Sequence, residues 1–189
     1  MMKKNFYKII GDQVNSVGMY SIVPIRSEDR YEIMKWRNEQ LYHLRQESPL
    51  TIEQQDFYFD NTITKLFDQE QPNQILFSYL ENDICVGYGG LVHINWKDKY
   101  SEISFIMDTC LEEDFFEKHW GQYLSLLEGL AFNTLKLHKI FTYAFDVRPR
   151  FYKAIEAAGF LREATLKEHC FFEDKFIDVV IHSKIINKE

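Results

Sequence analysis

The chain has 189 residues, 46% of them hydrophobic and 16% aromatic, which is enough to fill the core of one domain. Its net charge of −7 argues against a nucleic-acid groove, because phosphate contacts need clustered Lys and Arg side chains. No apolar run approaches the ~20 residues that span a bilayer, and the first residues lack the apolar core of a signal peptide, so we expect a cytoplasmic protein without membrane attachment.

The cysteines and histidines show no pattern of a disulfide frame or a metal site. Three cysteines are odd in number and widely separated, which fits a reducing compartment. Six histidines occur without ligand spacing such as HxxxH, and CxxC is also missing, so no metal is predicted. We expect a single domain over residues 19–187, preceded by an extension of unknown role over residues 1–18.

The first elements alternate between strand and helix signals. Residues 19–25 predict a strand, and Ser27 followed by two acidic residues is typical of the start of a helix. Thr51 and Gln54 have the spacing of a capping box, so a second helix is predicted to follow them. Alternating and β-branched residues then predict three strands, at 74–81, 84–94 and 100–108, the first two joined by an Asn-Asp turn.

The second half continues with helix and strand signals. Apolar residues at helical spacing after residue 123 predict a helix, and Gly159 is the expected end of a later one. Strands are predicted at 139–147, 163–172 and 176–186. The order β-α-α-β-β-β-α-β-α-β-β predicts an α/β fold of the α+β type, with a mixed, mostly antiparallel central sheet and helices on both faces.

Several stretches resemble the GNAT superfamily of acetyl-CoA-dependent N-acetyltransferases. Residues 87–107 resemble the family's third and fourth strands, and AFNTLKLHKIFTYAF with FYKAIEAAGF resembles its third helix, fifth strand and fourth helix. The tail FFEDKFIDVVIHSKI resembles the closing hairpin of the subgroup that acetylates ribosomal-protein N-termini and nucleotide-linked amino sugars. MKWRNEQLYHLRQ resembles the amino-sugar branch, of the pseudaminic acid biosynthesis type.

The resemblance implies acetyl-CoA as co-substrate and a place for it. A fourth strand that diverges from the fifth leaves backbone amides free to bind the pantetheine arm and the thioester carbonyl. In this sequence those amides belong to Phe105, Ile106 and Met107. The diphosphate is then expected at the N-terminus of the following helix.

The segment that should bind the diphosphate departs from the family pattern. The usual Q/R-x-x-G-x-G/A loop matches poorly in two registers. One gives a basic residue and one glycine among Lys118, His119, Trp120, Gly121 and Gln122; the other, set by the downstream AFNTL match, puts Phe115, Lys118 and Trp120 at the family's positions and keeps none of its residues. Four acidic residues between 112 and 117 oppose anion binding. Alternatively the region is a helix that begins near residue 110, with Gly121 as a packing glycine.

Candidate acid–base residues lie in the strand matches. Glu102 is the first candidate for the base that takes the amine's proton, and His93 on the neighbouring strand is the second; an outward-facing or packing role is the alternative for each. The family's usual Asn and Tyr are replaced here by Arg148 and Ile155. Tyr152 is therefore the candidate proton donor, with Tyr143 and the absence of a dedicated acid as further options.

The acceptor is predicted from the stretch around Trp36. Its ring offers a stacking face, and Arg37 and Arg45 could bind a nucleotide diphosphate; core packing and surface ion pairs are the alternatives. Trp96 either shapes the acceptor pocket or closes a turn. We therefore expect acetyl transfer to a small-molecule primary amine, a nucleotide-linked amino sugar, by a possible homodimer. A protein N-terminal amine, or a binding module that has lost acetyl-CoA use, is the alternative.

Overall fold

The computed structural model describes residues 6–11 and 14–186, which form one mixed sheet with helices on both faces. The strands in these ranges are β1 (Asn15–Val17), β2 (Tyr20–Pro24), β3 (Ile75–Glu81), β4 (Ile84–Asn95), β5 (Tyr100–Met107), β6 (Lys139–Phe145), β7 (Leu161–Phe172) and β8 (Lys175–Ile185). The α-helices there are α1 (Arg30–Glu39), α2 (Ile52–Tyr58), α3 (Thr64–Leu66), α4 (Phe116–Glu128) and α5 (Pro149–Ala157). The strand order is β1-β2-β3-β4-β5-β6-β8-β7, antiparallel throughout except for the parallel pair β5 and β6. The predicted fold class is confirmed.

The two faces of the sheet carry different helices. Successive strand residues point to opposite faces. Phe105 of β5 stacks on Tyr123 of α4, with 3.9 Å between ring centroids. Glu102, three residues earlier, instead pairs with Arg45, which lies just beyond the end of α1. The helix α4 and its neighbour α5 therefore cover one face, and α1 with the turn that follows it covers the other.

Local sequence signals explain where several elements begin and turn. The side chain of Thr51 accepts from the Gln54 backbone N–H, and the Gln54 side chain accepts from the Thr51 backbone N–H, so the predicted capping box is confirmed. Asn82 and Asp83 both have positive φ, which is the backbone of the tight turn predicted between β3 and β4. The start of α1 differs from prediction: Ser27 makes no side-chain cap and lies in a 3₁₀ turn, and α1 begins at Arg30.

The stretch predicted as an N-terminal extension contributes to the domain. Strand β1 pairs with β2, and Tyr7 is fully buried. The Tyr7 hydroxyl donates to the Leu76 carbonyl at 3.1 Å and accepts from the Leu76 N–H at 2.9 Å. Residues 6–11 and 15–17 are therefore part of the packed fold. The predicted extension also includes residues 1–5, 12 and 13, which lie outside the described residues, as does position 187 at the end of the predicted domain.

Glycine in β4 allows two central strands to approach closely. A Cβ atom built on Gly89 would lie 2.0 Å from the Ser104 carbonyl oxygen of β5, so no side chain fits there. The same Ser104 oxygen accepts a 3.1 Å hydrogen bond from the Tyr123 hydroxyl of α4. This contact joins β5 to α4 close to the point where β5 separates from β6.

None of the helices within residues 6–11 and 14–186 has the length and apolar character needed to cross a bilayer.

Candidate active site

The strands β5 and β6 separate after three residue pairs. They are in parallel register only at Tyr100–Lys139, Ser101–Ile140 and Glu102–Phe141. Beyond Glu102, β6 continues alongside β8 through to Phe145, whereas β5 remains paired with β4 to Met107. The edge of β5 from Ile103 onwards therefore has no strand partner on the β6 side. This wedge is the feature that suits an extended, amide-bearing ligand arm.

A cavity of about 120 Å³ occupies the wedge. Its walls include both diverging strands and residues from α4, α5 and the turn after α1, among them Arg45, Glu102, Phe105, Trp120, Thr142, Tyr143 and Arg148. At the far end of β5, the Met107 carbonyl accepts a 2.8 Å hydrogen bond from Nε2 of the buried Gln40. The predicted divergence of the strands is thus present. The roles of the Phe105, Ile106 and Met107 amides in binding stay predictions.

Glu102 lies at the apex of the wedge and is 6% exposed. Its Oε1 forms an ion pair with Nη2 of Arg45, and its Oε2 lies 3.8 Å from Nε2 of His93. The carboxylate thus points to the face that carries α1, away from α4. An outward-facing role, the alternative for this strand residue, does not fit its burial.

His93 is placed beside Glu102 by an irregular backbone. It has φ of +51° and lies where the β4–β5 register shifts between Val92 and Asn95. Its side chain is 69% exposed, so the imidazole is not a packing residue. The structure therefore brings together both candidates for the base, Glu102 and His93, and Arg45, which was predicted to bind the acceptor.

Tyr152 does not reach the wedge cavity. Its hydroxyl donates to Oδ1 of Asp146 at 2.6 Å, and its ring stacks on His182. Burial and the Asp146 carboxylate raise the pKa of Tyr152, so this hydroxyl stays protonated. The prediction of Tyr152 as proton donor to a ligand in the wedge is therefore not supported by its position.

Tyr143, the other tyrosine considered from the sequence, lines the cavity. Burial and a contact with Cys170 raise the pKa of Tyr143 to about 12, and its ring lies 4.6 Å from the Arg45 guanidinium carbon. A hydroxyl that keeps its proton at neutral pH is the form needed in a proton donor.

The predicted phosphate loop is helical. Residues 118–122 lie in the first turns of α4, which begins at Phe116, and the His119 N–H already bonds to the Phe115 carbonyl. Lys118 is directed towards Glu81, at 3.5 Å, and His119 is buried against Tyr79. These positions reflect the apolar stripe of α4, which favours a continuous helix over a wrapped loop. Trp120 is 4% exposed in the core, and Gly121 and Gln122 are on less buried faces of the helix.

Nor is α4 a helix that begins near residue 110. A 3₁₀ turn (Thr109–Leu111) precedes it, capped by the Asp108 side chain accepting from the Cys110 N–H. Gly121 is not a packing glycine either, because a Cβ there would meet no atom within 4 Å.

Two predicted acceptor residues have structural roles. Trp36 is 1% exposed, so its ring presents no face to a ligand, and the core alternative holds. Trp96 donates from Nε1 to the Pro72 carbonyl at 2.9 Å and packs beside the core, as expected of a residue that closes a turn.

Arg37 lies between two cavities on the α1 face. It lines a polar cavity of about 270 Å³ shared with Arg45 and His93, and a mostly apolar cavity of about 660 Å³ beside α2. Its guanidinium donates to Oε1 of Gln46 at 2.9 Å and to the Tyr88 hydroxyl at 2.6 Å. No ion pair of Arg37 occurs among the described residues. Within the described part of the chain, this partly buried cation therefore has hydrogen bonds and no carboxylate at ion-pair distance.

Sequence reasoning missed a charged cluster at the mouth of the wedge. It contains Glu112, Arg148, Arg150 and Tyr42, from the loop before α4, the start of α5 and the turn after α1. Two arginines flanking a proline at the start of a helix were the available signal. Arg148 was instead considered only as the replacement of a family Asn.

A sheet that splits around a buried carboxylate, with helices on both faces, defines a class of acyltransferase folds. The acetyltransferase (GNAT) domain family matches residues 22–181, and the chain belongs to this family. It is thus an acetyltransferase with acetyl-CoA as its co-substrate, as predicted. A comparison with curated proteins finds no match.

Solved structures share the fold. Spermidine N-acetyltransferase from Vibrio cholerae, in complex with CoA and spermine, is 18% identical with a TM-score of 0.74, covering 88% of this chain and 95% of that one. Spermidine/spermine N-acetyltransferase SpeG from Vibrio cholerae, in complex with manganese ions, is 18% identical with a TM-score of 0.71, covering 88% and 92%. At this identity the likeness shows the fold and does not identify the acceptor.

Proposed function

We propose that the chain acetylates the primary amine of a small acceptor that carries a negative group, and that this acceptor is a nucleotide-linked amino sugar. The observation that carries the proposal is Arg37. Burying part of a guanidinium without a carboxylate partner costs free energy unless an anion of a bound ligand pairs with it. Its position on the wall of the cavity beside Glu102 suits a phosphate attached to the acceptor.

The unpaired edge of β5 supports binding of the pantetheine arm of acetyl-CoA in the wedge, where the bound co-substrate would supply an activated acetyl thioester. An amine attacks a thioester only as the neutral base, so its proton must be removed. Glu102 accepts that proton directly or through a water, and Arg45 stabilises the carboxylate and holds its orientation. As the carbon–sulfur bond breaks, the thiolate needs a proton, and Tyr143, which lines the wedge cavity, is its proposed donor.

Charge on the acceptor side favours an anionic substrate over a polyamine. Arg37, Arg45 and His93 line the polar cavity, and Glu102 beside it is already paired with Arg45. A polycation would meet this excess of basic groups and be repelled. Acetylation of a polyamine is the second candidate, supported by the fold likeness to spermidine N-acetyltransferase. A peptide N-terminus is the third candidate.

Initial rates with acetyl-CoA and a panel of acceptors test the proposal. The panel is a nucleoside-diphosphate-linked amino sugar, the same amino sugar without the nucleotide, spermidine, and a peptide with a free N-terminal amine. We expect the highest kcat/KM for the nucleotide-linked sugar and a large drop for the free sugar, because only the former reaches Arg37. A higher kcat/KM for spermidine or the peptide would overturn the proposal.

A further inference from the structure

The cluster at the mouth of the wedge is an anion site that a side chain of the protein occupies. The Glu112 carboxylate lies 3.5 Å from Nη1 of Arg148 and 3.4 Å from Nη2 of Arg150. It also accepts a 3.1 Å hydrogen bond from the Tyr42 hydroxyl. Three donors, two from the start of α5 and one from the turn after α1, thus converge on the carboxylate of Glu112, a residue that is 7% exposed. We call these four residues the arginine clamp.

The clamp carries more positive than negative charge. Two guanidiniums share one carboxylate, and both nitrogen–oxygen distances exceed the ~2.7–2.9 Å of a well-formed charge-assisted hydrogen bond. The Arg148 side chain is 13% exposed, so water compensates little of its charge. A buried cation this weakly paired is expected to gain from a second or a better anion.

The clamp borders both the wedge cavity and the start of α4. Arg148 lines the wedge cavity, and its guanidinium carbon lies 5.7 Å from the ring centroid of Phe116, the first residue of α4. The Arg150 guanidinium lies 4.4 Å from the same ring. Both cations are therefore beside the N-terminus of α4, whose free N–H groups and dipole also favour an anion.

We propose that Arg148 and Arg150 bind the diphosphate of acetyl-CoA, and that the Glu112 carboxylate holds the two guanidiniums in place until the diphosphate displaces it. The proposal rests on the use of acetyl-CoA by this family. It explains how the diphosphate binds although residues 118–122 form a helix. The guanidiniums of Arg148 and Arg150 donate the hydrogen bonds that backbone N–H groups donate in a wrapped loop. It also gives a role to an acidic residue that otherwise opposes the co-substrate.

Calorimetric titration of the full chain with CoA tests the clamp without using activity. Arg150→Ala and Arg148→Met should each weaken CoA binding about tenfold or more, because each removes a hydrogen bond to a charged group. Glu112→Gln should strengthen binding several-fold, since it removes the competing charge and keeps the side-chain shape. If Glu112 has only a structural role, Glu112→Gln should instead weaken CoA binding.

Two controls keep the result interpretable. Arg162→Ala removes an exposed arginine on β7, whose guanidinium contacts Thr165, and should leave CoA affinity unchanged. The double variant Glu112→Gln with Arg148→Met removes both partners of one ion pair, and it should fold even where the single Arg148 variant does not. Far-UV circular dichroism checks folding in each case.

Dephospho-CoA shows which phosphate the arginines bind. If they bind the diphosphate, the loss caused by Arg150→Ala is the same for CoA and dephospho-CoA. If Arg150→Ala weakens the binding of CoA but not of dephospho-CoA, the arginines bind the 3′-phosphate and the proposal is overturned. Unchanged CoA affinity in folded arginine variants, or weaker binding in Glu112→Gln, also overturns it. Failure of the wild-type chain to bind CoA would contradict the use of acetyl-CoA itself.

Discussion

Glu102 and Arg45 form an ion pair at the residue where β5 and β6 part. The Glu102 side chain is 8% exposed, whereas the Arg45 side chain is 48% exposed. The pair therefore joins the buried apex of the wedge to the open acceptor side. In the proposed mechanism, a base in this position would lie between the thioester of acetyl-CoA and the amine of the acceptor.

Replacing Glu102 with Gln is expected to lower kcat by about 10²–10⁴-fold, the usual contribution of a positioned general base. The amide keeps the size of the side chain and cannot accept the amine's proton. CoA affinity by calorimetry should stay at the wild-type value, because Glu102 does not contact the clamp. Glu70→Gln, at an exposed ion pair with Lys8, is the matched control. An unchanged kcat would remove Glu102 from the mechanism.

Arg37→Met is expected to raise KM for the acceptor and to change kcat and CoA affinity little. Methionine fills much of the arginine's volume but leaves no charge for the acceptor's anion. A loss of about 1.5–3 kcal/mol in acceptor binding is typical for a hydrogen bond to a charged group. Steady-state kinetics with the best acceptor of the panel measure the effect.

Tyr88→Phe is the companion to the Arg37 variant. It removes only the hydroxyl that accepts from Arg37 at 2.6 Å, so KM should rise less than in Arg37→Met. A similar KM for the acceptor in Arg37→Met and wild type would show that the cation does not meet the substrate.

The order of elements could be predicted from the sequence because local signals agree with the tertiary structure. Thr51 with Gln54, and Asn82 with Asp83, set a helix start and a turn that the structure contains. The strand matches likewise placed Glu102 and His93 on neighbouring strands. The burial of Tyr7 was not predicted. It depends on a contact with Leu76, which is 69 positions away in the sequence. No local pattern carries that information.

The site could be predicted only in part for the same reason. The aromatic ring of Trp36 is of the type that stacks on ligands, but α1 packs on the sheet and buries this residue. The arginine clamp joins residues separated by more than one hundred positions, from Tyr42 to Arg150, and such convergence depends on the completed fold. The sequence predicts acidic residues near the expected diphosphate, but it does not indicate that Glu112 pairs with Arg148 and Arg150.

The stability of the protein is expected to fall between pH 7 and pH 5 in a way that depends on His43. Burial and the nearby cations Arg148 and Arg150 lower the pKa of His43 to about 3, against a usual value near 6.5. Between these two values the unfolded chain binds more protons than the folded chain, so the free energy of unfolding decreases as the pH falls from about 6.5 towards 3.

Urea unfolding at pH 7 and pH 5 measures this dependence. His43 is only partly buried, so we expect it to account for about 1 kcal/mol of the loss at pH 5, less than a fully buried imidazole. His43→Gln keeps a donor for the side-chain Oε1 of Gln40, which lies 3.1 Å from Nε2 of His43, and does not titrate. The variant should lose less stability than wild type over this interval. An equal loss in both proteins would assign the pH dependence to other groups.

Two glycine-to-alanine variants are expected to have opposite effects, and together they test how the co-substrate is bound. Gly89→Ala places a Cβ atom 2.0 Å from the Ser104 carbonyl oxygen, so β4 or β5 must shift. We expect a loss of about 1–3 kcal/mol or more in the free energy of unfolding, as is usual for overpacking. Gly121→Ala meets no atom within 4 Å on the exposed side of α4, and replacing a mid-helix glycine should stabilise the chain by about 0.5–1 kcal/mol.

The binding consequence of Gly121→Ala separates a wrapped phosphate loop from the arginine clamp. A loop needs glycine so that its backbone can approach the diphosphate, and a methyl group at that position would interfere with binding. In the clamp, the diphosphate meets side chains at the start of α4 and α5, and residue 121 is more than one helical turn further along. We therefore expect Gly121→Ala to bind CoA with wild-type affinity while its unfolding midpoint rises. A strong loss of CoA affinity in this stabilised variant would restore the loop and refute the clamp.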